Sequence, residues 1–134
     1  MAAKRPWTEE HRPKALEGYV FQNEQHQIQL LKFVAEQDIP HLLLTGTQGS
    51  GKTTIGEILI NELQIDDADV LRVNASNKTG VDFVREEIIG FAELMPMNSR
   101  FKVVHLAEFD YMSQNAQGML RDVLEANSDT CRFI

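Results

Sequence analysis

The sequence predicts an α/β fold with a central parallel sheet flanked by helices. Three observations predict it. Short apolar runs alternate with segments of helical periodicity from residue 24 onward, and such alternation calls for crossover helices between parallel strands. A glycine-rich loop separates one apolar run from the helical segment after it. A length of 134 residues, 43% apolar and 25% charged, gives one domain with a real core and argues against generic disorder.

Each element follows in order. Residues 1–20 are polar and punctuated by Pro6, Pro13 and Gly18, and read as an irregular arm with two aromatic anchors, Trp7 and Tyr19. Residues 21–134 form the domain itself. From Glu24 to Gln37, the residues Ile28, Leu30, Leu31, Phe33 and Val34 recur at helical spacing, and Pro40 stops the helix. His41 to Thr45 suits a buried parallel strand. Thr53 to Leu63 is helical, with Ile55, Ile58, Leu59 and Leu63 on one side, and Asp66 to Asp69 reads as a solvated turn. Val70 to Asn74 is the second strand, closed by a polar loop from Ala75 to Gly80.

Val81 to Leu94 gives a third helix with Phe83, Val84, Ile88, Phe91 and Leu94 as core candidates and Pro96 beyond it. Phe101 to Leu106 is a third strand. Ser113 caps a fourth helix reaching Glu125, with Met119, Leu120, Val123 and Leu124 inward. Cys131 to Ile134 starts a fourth strand. A last residue that is apolar and in a strand is unusual for a domain, so the expectation is a piece of a longer protein, interrupted before a fifth strand.

The net charge of −7 opposes free-standing nucleic-acid binding, since phosphates repel such a chain. It leaves room for a local basic face, or for DNA contacts formed only on assembly. A single cysteine, Cys131, excludes an internal disulfide and a cysteine-based zinc cluster. No apolar run approaches the roughly 18 residues of a membrane span, and the N-terminus lacks a signal-type apolar segment. The expected setting is the reducing cytoplasm, without a membrane partner.

The chemistry lies in Gly46-Thr47-Gln48-Gly49-Ser50-Gly51-Lys52-Thr53, which satisfies the P-loop pattern completely. Its four fixed positions would match somewhere in such a chain by chance about 0.5% of the time, so the match carries weight. Glycines let the backbone curl until successive N–H groups converge on phosphate oxygens, and the following helix points its positive end at the same anion. Lys52 supplies a mobile charge for the β- and γ-phosphates, and Thr53 a hydroxyl for Mg²⁺. Thr54 continues the site. ATP and Mg²⁺ are therefore the expected ligands. Glu108 sits where the third strand opens above the sheet, placed to orient and deprotonate an attacking water. Ala107 stands where a metal-side aspartate is usual; Asp110, two residues beyond Glu108, reads as a loop or helix-start residue, with partial compensation for the missing carboxylate as the alternative.

With these residues in place, a wider resemblance emerges. The segment Trp7 to Leu16, the run Ile39 to Leu44, Val81 to Arg85, and Glu108-Phe109-Asp110 followed by Gln114, Gln117 and Leu120-Arg121 together resemble the small subunits of clamp loaders. These are AAA+ ATPases of replication factor C type, and Val81 to Arg85 is most similar to their T4-like phage branch. The resemblance covers essentially the whole chain and implies an AAA+ core followed by a lid and a helical collar that holds a pentameric ring. The implied work is ATP-dependent loading of a sliding clamp at primer-template DNA. It places Arg12 and Pro13 near the adenine, Lys52 and Thr53 at phosphate and metal, Glu108 at the water, and Lys78 and Arg85 toward DNA. Ala107 departs from the pattern and weakens metal positioning. Two other readings stay open: another P-loop NTPase, such as a helicase loader or nucleotide kinase, and a subunit that holds nucleotide without turnover.

Overall fold

The computed structural model describes residues 13, 15–21, 23–47, 49–77 and 80–134. Three strands, β1 (Val70–Asn74), β2 (Lys102–Ala107) and β3 (Cys131–Phe133), pair in parallel in the order β1-β2-β3. The register sets Val70 beside Val103 and Asn74 beside Ala107, while Lys102 lies beside Cys131. Four helical segments connect and cover them. These are α1 (Glu24–Glu36), α2 (Lys52–Glu62), α3 (Val81–Phe83, a π-helical stretch Val84–Ile89, then Gly90–Ala92) and α4 (Gln114–Ala126).

Local chemistry sets the helix ends. The Asn23 side chain accepts from Gln25 N at the start of α1, a cap not expected from the sequence, and the Ser113 side chain accepts from Ala116 N at the start of α4, the cap the sequence predicts. Helix α1 stops at a left-handed Gln37 whose N–H bonds back to Phe33 and Val34, three residues before the expected proline stop. Helix α3 ends at Ala92, so Leu94, a predicted core residue, is 63% exposed.

Strand alternation divides the core in two. Val73, Val104, Cys131 and Phe133 meet Val84 and Ile88 of α3 and Ala116, Leu120 and Val123 of α4. On the opposite face Val103 and Ile134 meet Ile39, Leu59 and Leu63, with Phe33 and Val34 of α1 packed against them. Helices thus cover both faces, as expected of a parallel sheet.

Two expectations need correction. His41 to Thr45 runs beside β3 but is not laddered to it as a strand. Leu42 N donates to Phe133 O at 2.8 Å, whereas Phe133 N donates to the His41 Nδ1 atom at 3.2 Å. The imidazole takes the donor that a strand carbonyl would have taken, and bonds Leu124 O through Nε2 at 3.1 Å. Arg132 holds the approach to this segment by donating to Ile39 O and Asp38.

The acidic turn is the second correction. Asp69 is fully buried, and its carboxylate accepts from the backbone N–H groups of Met97, Asn98 and Ser99 at 2.7–2.8 Å. Burial alone would raise this carboxyl, but those donors and the Ser99 hydroxyl outweigh it and hold Asp69 below the usual value.

Candidate functional site

The glycine loop leads into α2 through Gly49 and Gly51, both left-handed at φ 78° and 87°. Gly51 is the cap of α2, and a Cβ there would lie 2.8 Å from the Tyr19 hydroxyl. Tyr19 donates to Ser50 O at 3.3 Å and stacks edge-on against Phe21, so the arm seats an aromatic ring on the loop. Leu16 beneath it packs with Ile55 and Ile58 of α2.

Lys52 folds back over the loop and donates to Gly46 O at 2.7 Å and Thr47 O at 2.9 Å. The Ser50 hydroxyl is buried with no hydrogen-bond partner among the described residues, and a Cβ at Gly46 would stand 2.7 Å from it. A cationic amine resting on carbonyls beside an unpaired buried hydroxyl, in a hollow that a Cβ would fill, fits a phosphate group. Thr53 is exposed at the mouth of the loop, whereas Thr54 is turned inward at 9% exposure.

The facing rim comes from the strand ends. Going down α2, Gly56 lies against His105 of β2, and Leu59 and Leu63 share a core with Val103 and Phe101. Helix and strand therefore run in opposite directions, which brings the start of α2 to the same end of the sheet as Ala107 and Glu108. Glu108 is exposed and held left-handed at φ 59°, ψ 40°. That is a strained conformation for a residue with a Cβ, of a kind that clusters at functional positions. Asp110 is exposed on the short 3₁₀ turn Phe109–Tyr111.

Of the other predicted residues, Pro13 and Arg85 are described and the rest lie outside the described residues. Pro13 is half-buried, 3.7 Å from a Cβ built on Gly18. Arg85 is exposed on α3 with Asp82 at 3.9 Å. Arg12, Gln48 and Lys78 lie outside the described residues.

Sequence reading missed a polar group under the site. Arg72 donates to both Glu57 carboxylate oxygens, at 2.9 and 3.1 Å, and His105 Nδ1 lies 3.0 Å from Glu57 Oε1. Asp67 adds a looser pair to Arg72 at 3.6 Å. Its one sequence signal is a charged or titratable residue flanked by apolar ones within each of two strands, Arg72 between Leu71 and Val73 and His105 between Val104 and Leu106. Burial would raise the Glu57 carboxyl, yet Arg72 and His105 together hold it below its ordinary value. The open cleft between Phe33, His41, Ser128 and Arg132 is at the other end of the sheet, where β3 begins.

Set against known proteins, residues 42–132 match the ATPase family associated with various cellular activities (AAA). A replication factor C small subunit of Methanocella arvoryzae is 37% identical over 137 residues, covering 100% of this chain and 42% of that protein. The replication factor C small subunits of Thermoplasma acidophilum and Saccharolobus solfataricus are each 40% identical over 131 residues, covering 96% of this chain and 41% and 39% of those proteins. The chain thus spans about two-fifths of the length of the curated relatives it matches.

Proposed function

Since the chain belongs to the AAA family of ATPases, we propose that it is the ATP-binding and ATP-hydrolysing part of a clamp-loader small subunit. The observation that carries this reading is the glycine loop, in which Lys52 rests on two loop carbonyls beside the buried, unpaired Ser50 hydroxyl. Similarity to replication factor C small subunits over nearly the whole chain supplies the biological setting. The partners follow from that setting: neighbouring subunits of a ring, a sliding clamp, and primer-template DNA. The phage branch suggested by Val81 to Arg85 belongs to the same proposal.

Each residue has a part in the chemistry. Lys52 exchanges two carbonyls for the β- and γ-phosphates, a stronger charge-assisted contact. The backbone N–H groups of Gly51, Lys52 and Thr53 lie at the positive end of α2 and serve the same anion. Thr53 would hold Mg²⁺, which when bound neutralises phosphate charge. Glu108 orients the attacking water and accepts its proton. Arg12 and Pro13 complete the base pocket, and Lys78 and Arg85 face DNA in the assembly.

Ala107 supports a second reading. With no carboxylate at that position, the subunit holds nucleotide and turns it over slowly or not at all. Single-turnover hydrolysis in an assembled ring separates the two. The first reading expects ATP consumption that falls by about 10²–10⁴ in Glu108→Gln, with nucleotide still bound. Equal consumption by parent and Glu108→Gln would overturn Glu108 as the base. Calorimetry gives the binding test: Lys52→Ala should lose most ATP affinity, and unchanged affinity would overturn the phosphate assignment.

A further inference from the structure

The polar group between α2 and the sheet has a geometry that ordinary core packing does not need. Arg72 and His105 are register partners on β1 and β2, and two residues on, on the same face, Asn74 and Ala107 are partners at the rim. Glu57 stands one helical turn after Thr53 on the same side of α2. The Arg72–Glu57–His105 chain therefore forms a layer directly beneath the rim, joining the phosphate-loop helix to both strands that reach it.

The fit is close enough to dictate a residue type. A Cβ at Gly56 would lie 2.5 Å from His105 Nε2 and 2.9 Å from Cε1, so only glycine lets the imidazole rest on the helix backbone. His105 is 5% exposed, and its Nδ1 must be the protonated nitrogen, because a carboxylate oxygen can only accept. Its Nε2 lone pair then faces the space that Gly56 leaves.

We propose that Arg72, Glu57 and His105, closed by Gly56, are positioning residues that seat α2 against β2 and thereby set the affinity of the glycine loop for nucleotide. The proposal rests on the nucleotide-binding reading above. A second proton on His105 would put an N–H against a helix backbone whose carbonyls are committed to helical bonds, and would lift the ring off Gly56. Burial lowers the His105 pKa, Glu57 opposes this and Arg72 adds to it, with a net lowering. The charged groups it meets are Glu57 on α2, Arg72 on β1 and, through Arg72, Asp67 on the turn before β1.

Binding of a fluorescent ATP analogue with Mg²⁺ to the 134-residue chain tests this in a series from about pH 7.5 down to about pH 5, extended below the ordinary imidazole value because burial lowers that of His105. At the highest pH His105→Phe and Gly56→Ala should each weaken binding about tenfold, the scale on which loss of an orienting partner acts. His105→Asn, which keeps a donor at the Nδ1 position and cannot titrate, should restore parent affinity there. The parent should lose affinity at the lowest pH beyond any loss seen in His105→Asn, which shares the ligand's own titration. Half-exposed Arg72→Gln should still fold if the buried variants do not, and should show a smaller weakening in the same direction. Lys52→Ala separates the two levels. Parent-like binding by Lys52→Ala overturns the nucleotide reading itself. Loss in Lys52→Ala with parent-like affinity and pH profile in the folded network variants overturns the positioning inference alone.

Discussion

The two faces of the sheet are held by different forces. Against α3 and α4 the contact is mainly apolar: Val104 and Cys131 are fully buried, and Leu120 is 2% exposed among Val84, Ile88 and Phe133, with one buried cation, Lys102, donating to Phe91 O of α3 at 3.1 Å and lying over the Phe91 ring. Against α2 the apolar contact covers only the half around Leu59, Leu63 and Val103, and the half nearest the glycine loop is the Arg72–Glu57–His105 chain. Apolar packing is strong and indifferent to small rotations, because dispersion and burial are not directional. Hydrogen bonds contribute less net stability but fix direction. The face carrying the phosphate-binding helix is the one tied by a linked chain of side-chain hydrogen bonds, whereas the other has the single Lys102–Phe91 O bond.

Substitutions that break one face and spare the other sharpen this contrast. The largest effect is expected from Leu120→Ala on the apolar face, about 2–5 kcal/mol in urea denaturation, with nucleotide affinity unchanged in the protein that remains folded. Asp69→Asn comes next, at about 2 kcal/mol, because an amide cannot accept all the N–H donors of residues 97–99 as a carboxylate does. Asp69 also gives a signed pH dependence. Its folded pKa is depressed, so its contribution is complete above the ordinary carboxylate range and is lost as pH falls through the folded value. Acid denaturation followed by circular dichroism should therefore begin at higher pH in the parent than the rest of the chain requires, and Asp69→Asn should flatten that part of the curve.

Smaller effects are expected beneath the glycine loop. Arg72→Gln should cost about 0.5 kcal/mol, because the Arg72–Glu57 pair is about 46% and 34% exposed and solvent screens it. That cost should shrink further in high salt. His105→Phe should cost a comparable amount, because it removes one hydrogen-bond partner of the Glu57 carboxylate and leaves the other in place. Its pH signature is the informative part. The His105 pKa is depressed on folding, so its share of stability is present above the unfolded imidazole value and lost as pH falls through the folded one. A thermal scan across that window should slope in the parent and be flatter in His105→Phe. Least visible is Cys131, whose thiol burial pushes up to about 11; labelling by a thiol reagent at neutral pH should wait for unfolding.

Much of this molecule was legible before any coordinates. Apolar periodicity located the helices, and Val70 to Asn74 was bounded correctly because strand and turn chemistry change abruptly there. The Gly46 to Thr53 loop was legible for a different reason. Phosphate binding by backbone N–H groups needs glycine at fixed spacing, and that need is written locally. The family followed from the same local signals taken together.

What the sequence could not decide depends on which side chains meet across the fold. Asp69 read as one of several solvated acids until the loop at residues 97–99 arrived on it. His41 read as a strand residue, yet its ring intercepts the Phe133 N–H that would have completed a third ladder. Glu57, Arg72 and His105 are 15 or more residues apart in sequence, and no periodicity links them. Burial and hydrogen-bond direction are properties of three-dimensional neighbours. Local sequence therefore determined the elements and the phosphate loop, while only tertiary structure decided which polar groups the packing would leave facing one another.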